Sequence, residues 1–191
     1  MKRFLDVLLV LATMPAWLAL QLLTALAVAV SDGFPVLFRQ ERAGKGGRPF
    51  GFLKFRTMRE GGGTDAERTT RLGRFLRRTS LDELPQLWHV LSGRMSLVGP
   101  RPLPAAYLPR YDAVQARRHE VRPGITGWAQ VNGRNALSWE EKLKLDVWYV
   151  DHRSLALDAR ILWMTLFKAA AAEGIDHSDG ETMPEFTGSP S

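Results

Sequence analysis

Two adjacent carboxylates, Asp82 and Glu83, are the residues of this sequence best suited to chemistry. They lie in the block Thr79–Trp88, directly after two arginines and ahead of a Gly-Pro-Arg-Pro corner at 99–102. A carboxylate can act as a covalent nucleophile, and phosphoryl transfer depends mainly on positioning and on charge neutralisation. An acidic pair in cationic surroundings therefore predicts chemistry on a phosphorylated substrate.

The same pair also has a purely structural interpretation. Ser80 and Glu83 match a capping box for a helix expected over 81–91, and Asp82 in the first turn would be favoured by the helix dipole. The N-terminus of a helix is also a site where a diphosphate can bind. Spacing alone therefore favours the structural interpretation and leaves the catalytic one open as the alternative.

An apolar segment near the N-terminus indicates a membrane. Phe4–Val30 contains a single charge, Asp6, and exceeds the roughly 20 residues that cross a bilayer as a helix. Pro15 interrupts it, because proline lacks an N–H and its ring clashes with the preceding turn. Basic residues flank both ends, which favours a cytoplasmic position for both. A re-entrant helix broken at Met14–Pro15, a kinked spanning helix and a signal peptide are the alternatives.

The rest of the sequence predicts an α+β, predominantly helical fold with a small β-hairpin. The hairpin strands are expected at 35–42 and 50–58, around a Gly-rich turn. Further helices are expected over 66–78, 138–150 and 156–172. The first carries Arg68, Arg71, Arg74 and Arg78 on one face, and the second begins with a capping box at Ser138.

Three parts of the chain are predicted from these patterns. They are a membrane-inserted helix at 1–31, a globular domain at 32–173 and a polar tail at 174–191. The third helix, at 156–172, is expected either in the headgroup plane or in the core of the domain.

Composition limits the classes of function that the chain can have. The chain has 191 residues, no cysteine and a formal net charge of +6, so thiol nucleophiles, thiolate metal sites and disulfides are excluded. A basic surface suits nucleic acid, anionic lipid or phosphorylated substrates. The apolar segment favours lipid, and the sequence shows no recognisable nucleic-acid-binding element.

Several blocks resemble the bacterial monotopic phosphoglycosyl transferases, the bacterial sugar transferase family. These blocks are Phe38–Gly44, Lys54–Met58, Thr79–Trp88, Met95–Pro102, Pro123–Asn135 and Asp146–Asp151. The resemblance covers nearly the whole chain, and the Leu-Asp-Glu-Leu-Pro-Gln-Leu motif at 81–87 is highly specific. The chain's size and its segment Pro184–Gly188 are similar to those of the smallest members.

The resemblance implies a reaction. A UDP-sugar donates its phospho-sugar to undecaprenyl phosphate, which gives a polyprenyl-diphosphate sugar and UMP and starts the assembly of a glycan. It implies that Asp82 is the nucleophile and carries a covalent phospho-sugar, that Glu83 acts beside it, and that Mg²⁺ is required, with Asp82 as its ligand.

The resemblance also implies where the reaction takes place. It places the protein in the bacterial inner membrane, held by a re-entrant helix broken at Met14–Pro15, with the active site on the cytoplasmic face and anionic lipids around it. A homo-oligomer is left open.

The cations expected to contact substrate phosphates are chosen by residue type and position, since arginine binds phosphate through two parallel hydrogen bonds. They are Lys54, Arg56, Arg77, Arg78, Arg101 and Arg134. Arg101 has proline on both sides, which restricts its backbone. The rival hypothesis is a non-enzymatic lipid-binding or scaffold protein at the membrane surface, which would release no UMP from UDP-sugars.

Overall fold

The computed structural model describes residues 1–133, 137–171 and 185–188. The α-helices are α1 (Lys2–Ala12), α2 (Met14–Asp32), α3 (Asp65–Arg68), α4 (Arg71–Thr79), α5 (Gln86–Leu91), α6 (Ala113–Ala116), α7 (Trp128–Val131), α8 (Trp139–His152) and α9 (Leu155–Ala171). The strands are β1 (Leu37–Ala43), β2 (Pro49–Phe55), β3 (Ser96–Val98) and β4 (Gly124–Thr126). Short 3₁₀ turns occupy Lys45–Gly47, Leu81–Glu83, Ala105–Arg110 and Arg117–Glu120. The predominantly helical fold with small sheets agrees with the sequence prediction.

The apolar N-terminal segment is broken at Thr13, immediately before the expected Met14–Pro15 step. Pro15 lies in the first turn of α2, where its missing N–H leaves no helical bond unmade. The Thr13 hydroxyl donates to the Leu9 carbonyl at 2.8 Å, and the Trp17 indole N–H donates to Val10 at 2.9 Å. These bonds fix the break from both sides. Among the described residues, only α2 is long and apolar enough to cross a membrane.

Polar residues at the start of α1 attach it to the globular body. Arg3 donates to the carbonyls of Val90 and Leu91 at the end of α5, and Lys2 pairs with Asp158 of α9 at 2.5 Å. Asp6 accepts hydrogen bonds from Ser96 and Leu97 of the strand β3. The N-terminal end of α1 is therefore held by side chains as well as by apolar packing.

The hairpin is confirmed, with slightly different ends from those expected. Strand β1 pairs with β2 in antiparallel register, from Leu37 opposite Phe55 to Ala43 opposite Pro49. The hairpin packs on α5, where the imidazole Nε2 of His89 accepts the Leu53 N–H at 3.3 Å. This contact places Lys54, the next residue of β2, beside the segment that carries the carboxylate pair.

The helix expected over 66–78 is two helices, and that prediction was wrong in its continuity. Thr69 and Thr70 are extended, and the Thr70 hydroxyl caps α4 by accepting the Gly73 N–H at 2.8 Å. At Gly73 an added Cβ would lie 2.0 Å from the Thr57 carbonyl. This close approach fixes where α4 begins, so Arg68 lies on a different helix from Arg71, Arg74 and Arg78.

The core of the body lies beneath the parallel pair β3 and β4. Ser96 is opposite Gly124 and Val98 opposite Thr126. Val98 packs with Val131, Tyr149 and Ile161 from α7, α8 and α9. The capping box at Ser138 is confirmed, with Glu141 as its partner, and α8 and α9 begin within a residue of the expected starts. Strand β3 leads directly into the Gly-Pro-Arg-Pro corner at 99–102.

Candidate active site

The carboxylate pair lies in a tight turn and not in a helix that runs from 81 to 91. Ser80 ends α4 in the left-handed conformation, with φ +57°, and its side chain makes no capping bond. Leu81–Glu83 form a single 3₁₀ turn, and α5 starts only at Gln86, after Pro85. The predicted capping box is therefore wrong, because Ser80 terminates the preceding helix and Glu83 has another partner.

That partner is Arg101. Its guanidinium forms a two-pronged ion pair with Glu83, donating to Oε2 at 3.3 Å and making a shorter contact with Oε1. The Glu83 side chain is 17% exposed, whereas that of Arg101 is 44% exposed. Burial acts to raise the pKa of Glu83, but the charge and hydrogen bonds of Arg101, followed by Lys54 and Arg42, outweigh it and leave the pKa lowered. Glu83 is thus ionised and fixed in orientation.

Asp82 is in the opposite condition. It is 6% exposed, and burial, followed by the negative charge of Glu83, raises the pKa of its carboxyl to about 7. Lys54, Arg101 and Arg77 act in the other direction without restoring the ordinary value. The anion of Asp82 is poorly stabilised, and its pKa lies close to neutral pH. Such a carboxylate, with cations beside it, is suited to reaction with an electrophile.

The cations around the pair outnumber the carboxylates. Lys54, Arg77 and Arg101 act on Asp82, and Arg42 acts on Glu83. Burial, followed by Arg77, lowers the pKa of Lys54, and burial, followed by Arg101, lowers that of Arg42 to about 10. Four cations face two carboxylates, so an anion such as a diphosphate would relieve the excess of positive charge.

The predicted phosphate contacts that lie within the described residues fall into three groups. Lys54, Arg77 and Arg101 lie close enough to Asp82 to act on its charge, and Arg77 also donates to the Thr57 hydroxyl at 3.0 Å. Arg56 instead donates to the carbonyls of Asp32, Gly33 and Phe34 at the C-terminal end of α2. Arg78 is exposed in the last turn of α4. Arg134 lies outside the described residues.

Sequence reasoning missed three charged residues near the site. Arg42 closes the strand β1, and Arg118 and Asp146 form a buried ion pair at 2.7 Å. A signal for Asp146 was present, because the buried residues Leu143, Asp146, Val147 and Val150 recur at helical spacing and make Asp146 an acid on an apolar face. Arg42 lies in the family block Phe38–Gly44 but was not singled out there, and for Arg118 the sequence carries no comparable signal.

Asp82 is the residue that could hold a magnesium ion, with few other protein ligands. Among the described residues no group of three or more His, Cys, Asp or Glu side chains could hold a metal ion. Mg²⁺ commonly needs only one or two carboxylates, with phosphates and waters as its other ligands. Asp82, with a raised pKa and few compensating contacts, fits such a role together with a diphosphate.

Comparison with known proteins gives a consistent result. A family model described as "Bacterial sugar transferase" matches residues 1–172. An "Uncharacterized sugar transferase EpsL" of Bacillus subtilis (strain 168) is 54% identical over 174 residues, which cover 88% of this chain and 86% of the relative.

Two longer relatives carry more specific names. The UDP-glucose:undecaprenyl-phosphate glucose-1-phosphate transferase of Xanthomonas campestris pv. campestris is 45% identical over 83% of this chain. The UDP-N-acetylgalactosamine-undecaprenyl-phosphate N-acetylgalactosaminephosphotransferase of Aeromonas hydrophila is 38% identical over 86% of this chain. The matched regions span only 36% and 42% of these two proteins.

Proposed function

The chain belongs to the bacterial sugar transferase family, and from this membership and its buried carboxylate pair we propose that it transfers a phospho-sugar from a UDP-sugar to undecaprenyl phosphate. The products would be a polyprenyl-diphosphate sugar and UMP, and the reaction would initiate the assembly of a cell-surface glycan. The single observation that carries the proposal is Asp82, a buried carboxylate whose pKa of about 7 is accompanied by an excess of cations.

Asp82 acts as the nucleophile in this proposal. A carboxylate oxygen of Asp82 forms a bond with the phosphorus that bears the sugar, and the bond from this phosphorus to the bridging oxygen breaks, so UMP leaves with that oxygen. A phosphate oxygen of undecaprenyl phosphate then attacks the same phosphorus. The Asp82 carboxylate is released and the lipid-linked diphosphate is formed, so the enzyme returns to its starting state.

Glu83 and the cations have supporting roles. Arg101 holds Glu83 in one orientation, so Glu83 stays ionised and raises the pKa of the neighbouring Asp82. Lys54, Arg77 and Arg101 offset the charge of the incoming diphosphate, which would otherwise repel an anionic nucleophile. Arg78 and Arg134 stay predictions as phosphate contacts, and Arg56 would reach a phosphate only by releasing the end of α2.

Mg²⁺ is the metal that this chemistry requires in the proposal, and Asp82 is the residue that would hold it. When bound, the ion would supply further charge neutralisation on the diphosphate oxygens. Because cations lower the pKa of a nearby carboxylate, the same ion would also keep Asp82 ionised at neutral pH.

The N-terminal helix pair is proposed to enter the bilayer and return to the same face. Both of its ends contact one globular body, Lys2 and Arg3 at the start and Asp32 at the end, where its carboxylate accepts the Thr70 hydroxyl at 2.9 Å. A spanning helix would have to separate these ends by a bilayer. Large apolar side chains are exposed on both helices and on α9, among them Phe4, Leu22, Leu23, Leu26, Val30, Trp163, Leu166 and Phe167. In this arrangement the active site faces the cytoplasm at the inner membrane.

The test of the reaction is UMP release across a panel of UDP-sugars that includes UDP-glucose and UDP-N-acetylgalactosamine, with undecaprenyl phosphate and Mg²⁺. We expect release with at least one donor, and a covalent adduct of one phospho-sugar by intact-protein mass spectrometry when the acceptor is left out. Asp82→Asn should abolish both signals. An adduct that persists in Asp82→Asn would contradict the assignment, and vesicle binding without any UMP release would favour a lipid-binding scaffold.

The test of the topology uses single cysteines, because the natural chain has none. A cysteine inserted after Met1 and Phe34→Cys place thiols at exposed positions at the two ends of the helix pair. In spheroplasts, we expect both to be protected from a membrane-impermeant maleimide until the cells are lysed. Labelling of one position alone before lysis would support a spanning helix.

A further inference from the structure

The corner at Pro100–Leu103 is held by its carbonyl groups, and this carries a further inference. We propose that Arg42 and Arg118 are positioning residues that clamp the main chain at Arg101 and at the following residue, Pro102, and so aim the Arg101 guanidinium at Glu83. The kinetic part of the inference rests on the proposed function. The structural part rests on the bonds described next.

Each of four successive carbonyls of the corner accepts a hydrogen bond, and the donors come from strand β1, from the 3₁₀ turn at Arg117–Glu120 and from strand β4. Pro100 accepts the Gly124 N–H at 3.0 Å, and Leu103 accepts the Ala43 N–H at 2.9 Å. The two carbonyls between them accept guanidinium donors: Arg101 from Arg118 Nη2 and Pro102 from Arg42 Nη1, both at 2.7 Å. Backbone donors thus hold the two outer carbonyls, and arginines hold the carbonyl of Arg101 itself and that of Pro102, the residue after it.

The sequence of the corner explains why side chains are needed. Pro100 and Pro102 have no N–H, so this stretch can form few bonds of its own, and no regular strand or helix can continue through it. Its carbonyls, once buried, must find donors elsewhere. A guanidinium supplies several donors in a fixed plane and can therefore bind a carbonyl and a second acceptor together.

Arg118 uses this property with Asp146. Its Nε and Nη2 donate to Asp146 Oδ2 at 3.1 and 2.7 Å, and the same Nη2 reaches the Arg101 carbonyl. The side chains of Arg118 and Asp146 are 2% and 5% exposed. Burying such a pair is commonly no better for stability than apolar packing of the same volume. The bond to the Arg101 carbonyl gives this buried pair a task that apolar side chains could not perform.

Arg42 approaches from the hairpin. Its Nε donates to the Gln40 side chain at 2.9 Å, and its guanidinium lies 5.1 Å from the centre of the Phe52 ring. These contacts hold the guanidinium in the orientation in which it donates to the Pro102 carbonyl. The clamp therefore joins the hairpin, which carries Lys54, to the corner, which carries Arg101, and sets the distance between two cations of the site.

A neighbouring ion pair provides the matched control. Arg117 pairs with Asp151 at 2.5 Å, and both side chains are more than 40% exposed. This pair joins the same two elements as Arg118 and Asp146, the 3₁₀ turn at Arg117–Glu120 and α8. It does not contact the corner. If activity required only an ion pair between these two elements, substitution of either arginine would lower it. The clamp predicts a loss for Arg118 and none for Arg117.

The experiment is a double-mutant cycle between Arg118→Lys and Arg101→Ala, with Arg117→Lys as control. Lysine keeps the charge beside Asp146 but cannot bind the carboxylate and the Arg101 carbonyl with one planar head group. We expect Arg118→Lys to lower kcat/KM for the donor by about tenfold or more, and to lower it by less than about twofold when Arg101 is already alanine. Arg117→Lys should stay within about twofold of the natural chain. Multiplicative losses in the double variant would overturn the proposal.

Two further measurements keep the cycle decisive. If Arg118→Lys does not fold, Arg42→Lys replaces it, because that residue lies at the end of the hairpin and tests the Pro102 carbonyl in the same way. The Kd for UDP, measured by calorimetry on all variants, gives the cycle a second readout without turnover. A natural chain that binds UDP but releases no UMP would contradict the proposed reaction alone, and the clamp would then be judged on the UDP affinities.

Discussion

The N-terminal helix pair and the turn between α4 and α5 each bury one aspartate, and the two carboxylates meet opposite conditions. Asp6 in α1 and Asp82 in the turn are both 6% exposed. Asp6 accepts the Ser96 hydroxyl at 2.7 Å and the Leu97 N–H at 3.4 Å. Asp82 adjoins a second carboxylate, and burial raises its pKa to about 7.

The difference separates an anchor from a reactive group. The two hydrogen bonds to Asp6 fasten α1 to β3, so this carboxylate has a structural task. Burial and the charge of Glu83 disfavour the anion of Asp82. A bound metal ion, or a bond to an electrophilic phosphorus, would stabilise it. Burial alone does not distinguish the proposed nucleophile from a structural carboxylate; the partners of the buried group do.

The largest effect should separate the two aspartates in the donor half-reaction. Asp82→Asn is expected to reduce UMP release by at least about 10³-fold, because an amide cannot replace a carboxylate nucleophile. Asp6→Asn should stay within about tenfold of the natural rate, since Asp6 does not belong to the reacting groups. Both are measured in detergent with donor and Mg²⁺. A folded Asp6→Asn variant as inactive as Asp82→Asn would break the comparison.

The next effect concerns two arginines, one from each region. Arg101→Ala is expected to weaken donor binding by about 10- to 100-fold, because a two-pronged ion pair with Glu83 and a cation facing the diphosphate are both lost. Arg3→Ala removes donors to the Val90 and Leu91 carbonyls and should leave the donor affinity unchanged. The measurement is the Kd of UDP by titration calorimetry. Equal affinities for Arg101→Ala and the natural chain would refute the assignment of Arg101.

Stability should change with opposite sign at the two aspartates. Asp6→Asn is expected to cost about 1–3 kcal/mol, since two donors lose a charged acceptor. Asp82→Asn should stabilise the chain, with a gain that increases with pH. The folded-state pKa of Asp82, about 7, is above its unfolded value, so the folded chain holds an extra proton between the two pKa values and loses stability as pH rises across that window.

The measurement for this sign change is denaturant unfolding in detergent without Mg²⁺, at pH 4 to 8. The gain from Asp82→Asn should be near zero at pH 4 and level off above pH 7, at up to a few kcal/mol. A gain that is constant over this range, or a loss, would show that Asp82 does not ionise against its surroundings.

The smallest expected effect concerns Lys54, the first of the cations that lower the pKa of Asp82. Lys54 lowers the pKa of Asp82, so Lys54→Met should move the rising limb of adduct formation to higher pH by about half a unit to one unit. Lys45→Met, in the exposed turn of the same hairpin, is the matched control and should leave the limb in place. The limb is measured as the initial rate at saturating donor. An unshifted limb in Lys54→Met would mean that Lys54 acts only on the substrate.

Much of the fold could be predicted because its signals are local. Pro15 marks the helix break within two residues, and Ser138 with Glu141 forms the expected capping box, with the Glu141 N–H donating to the serine hydroxyl at 3.2 Å. The hairpin follows from two β-like runs and a Gly-rich turn. Each of these features depends on residues a few positions apart, which the sequence displays directly.

The same capping pattern failed at Ser80, and the reason is tertiary. Arg101, 18 residues later, binds the Glu83 side chain that the box would have used, and Ser80 adopts a left-handed conformation to end α4. The clamp of Arg42 and Arg118 was invisible for a related reason: a carbonyl acceptor carries no mark in the sequence. The prediction that Asp82 is the nucleophile came from the family motif, because spacing alone favoured the helix cap.

The bond between Lys2 and Asp158 has a consequence for the order of events during synthesis. The two residues are 156 positions apart, so a ribosome adding about 5–20 residues per second would deliver Asp158 roughly 10–30 s after Lys2. Asp6 waits a shorter time for Ser96. Helix α1 is thus attached in stages, first to residues 90–97 and later to Asp158. In the interval lipid or a chaperone has to shelter its apolar face, and the Lys2 bond can form only after the start of α9 has been made.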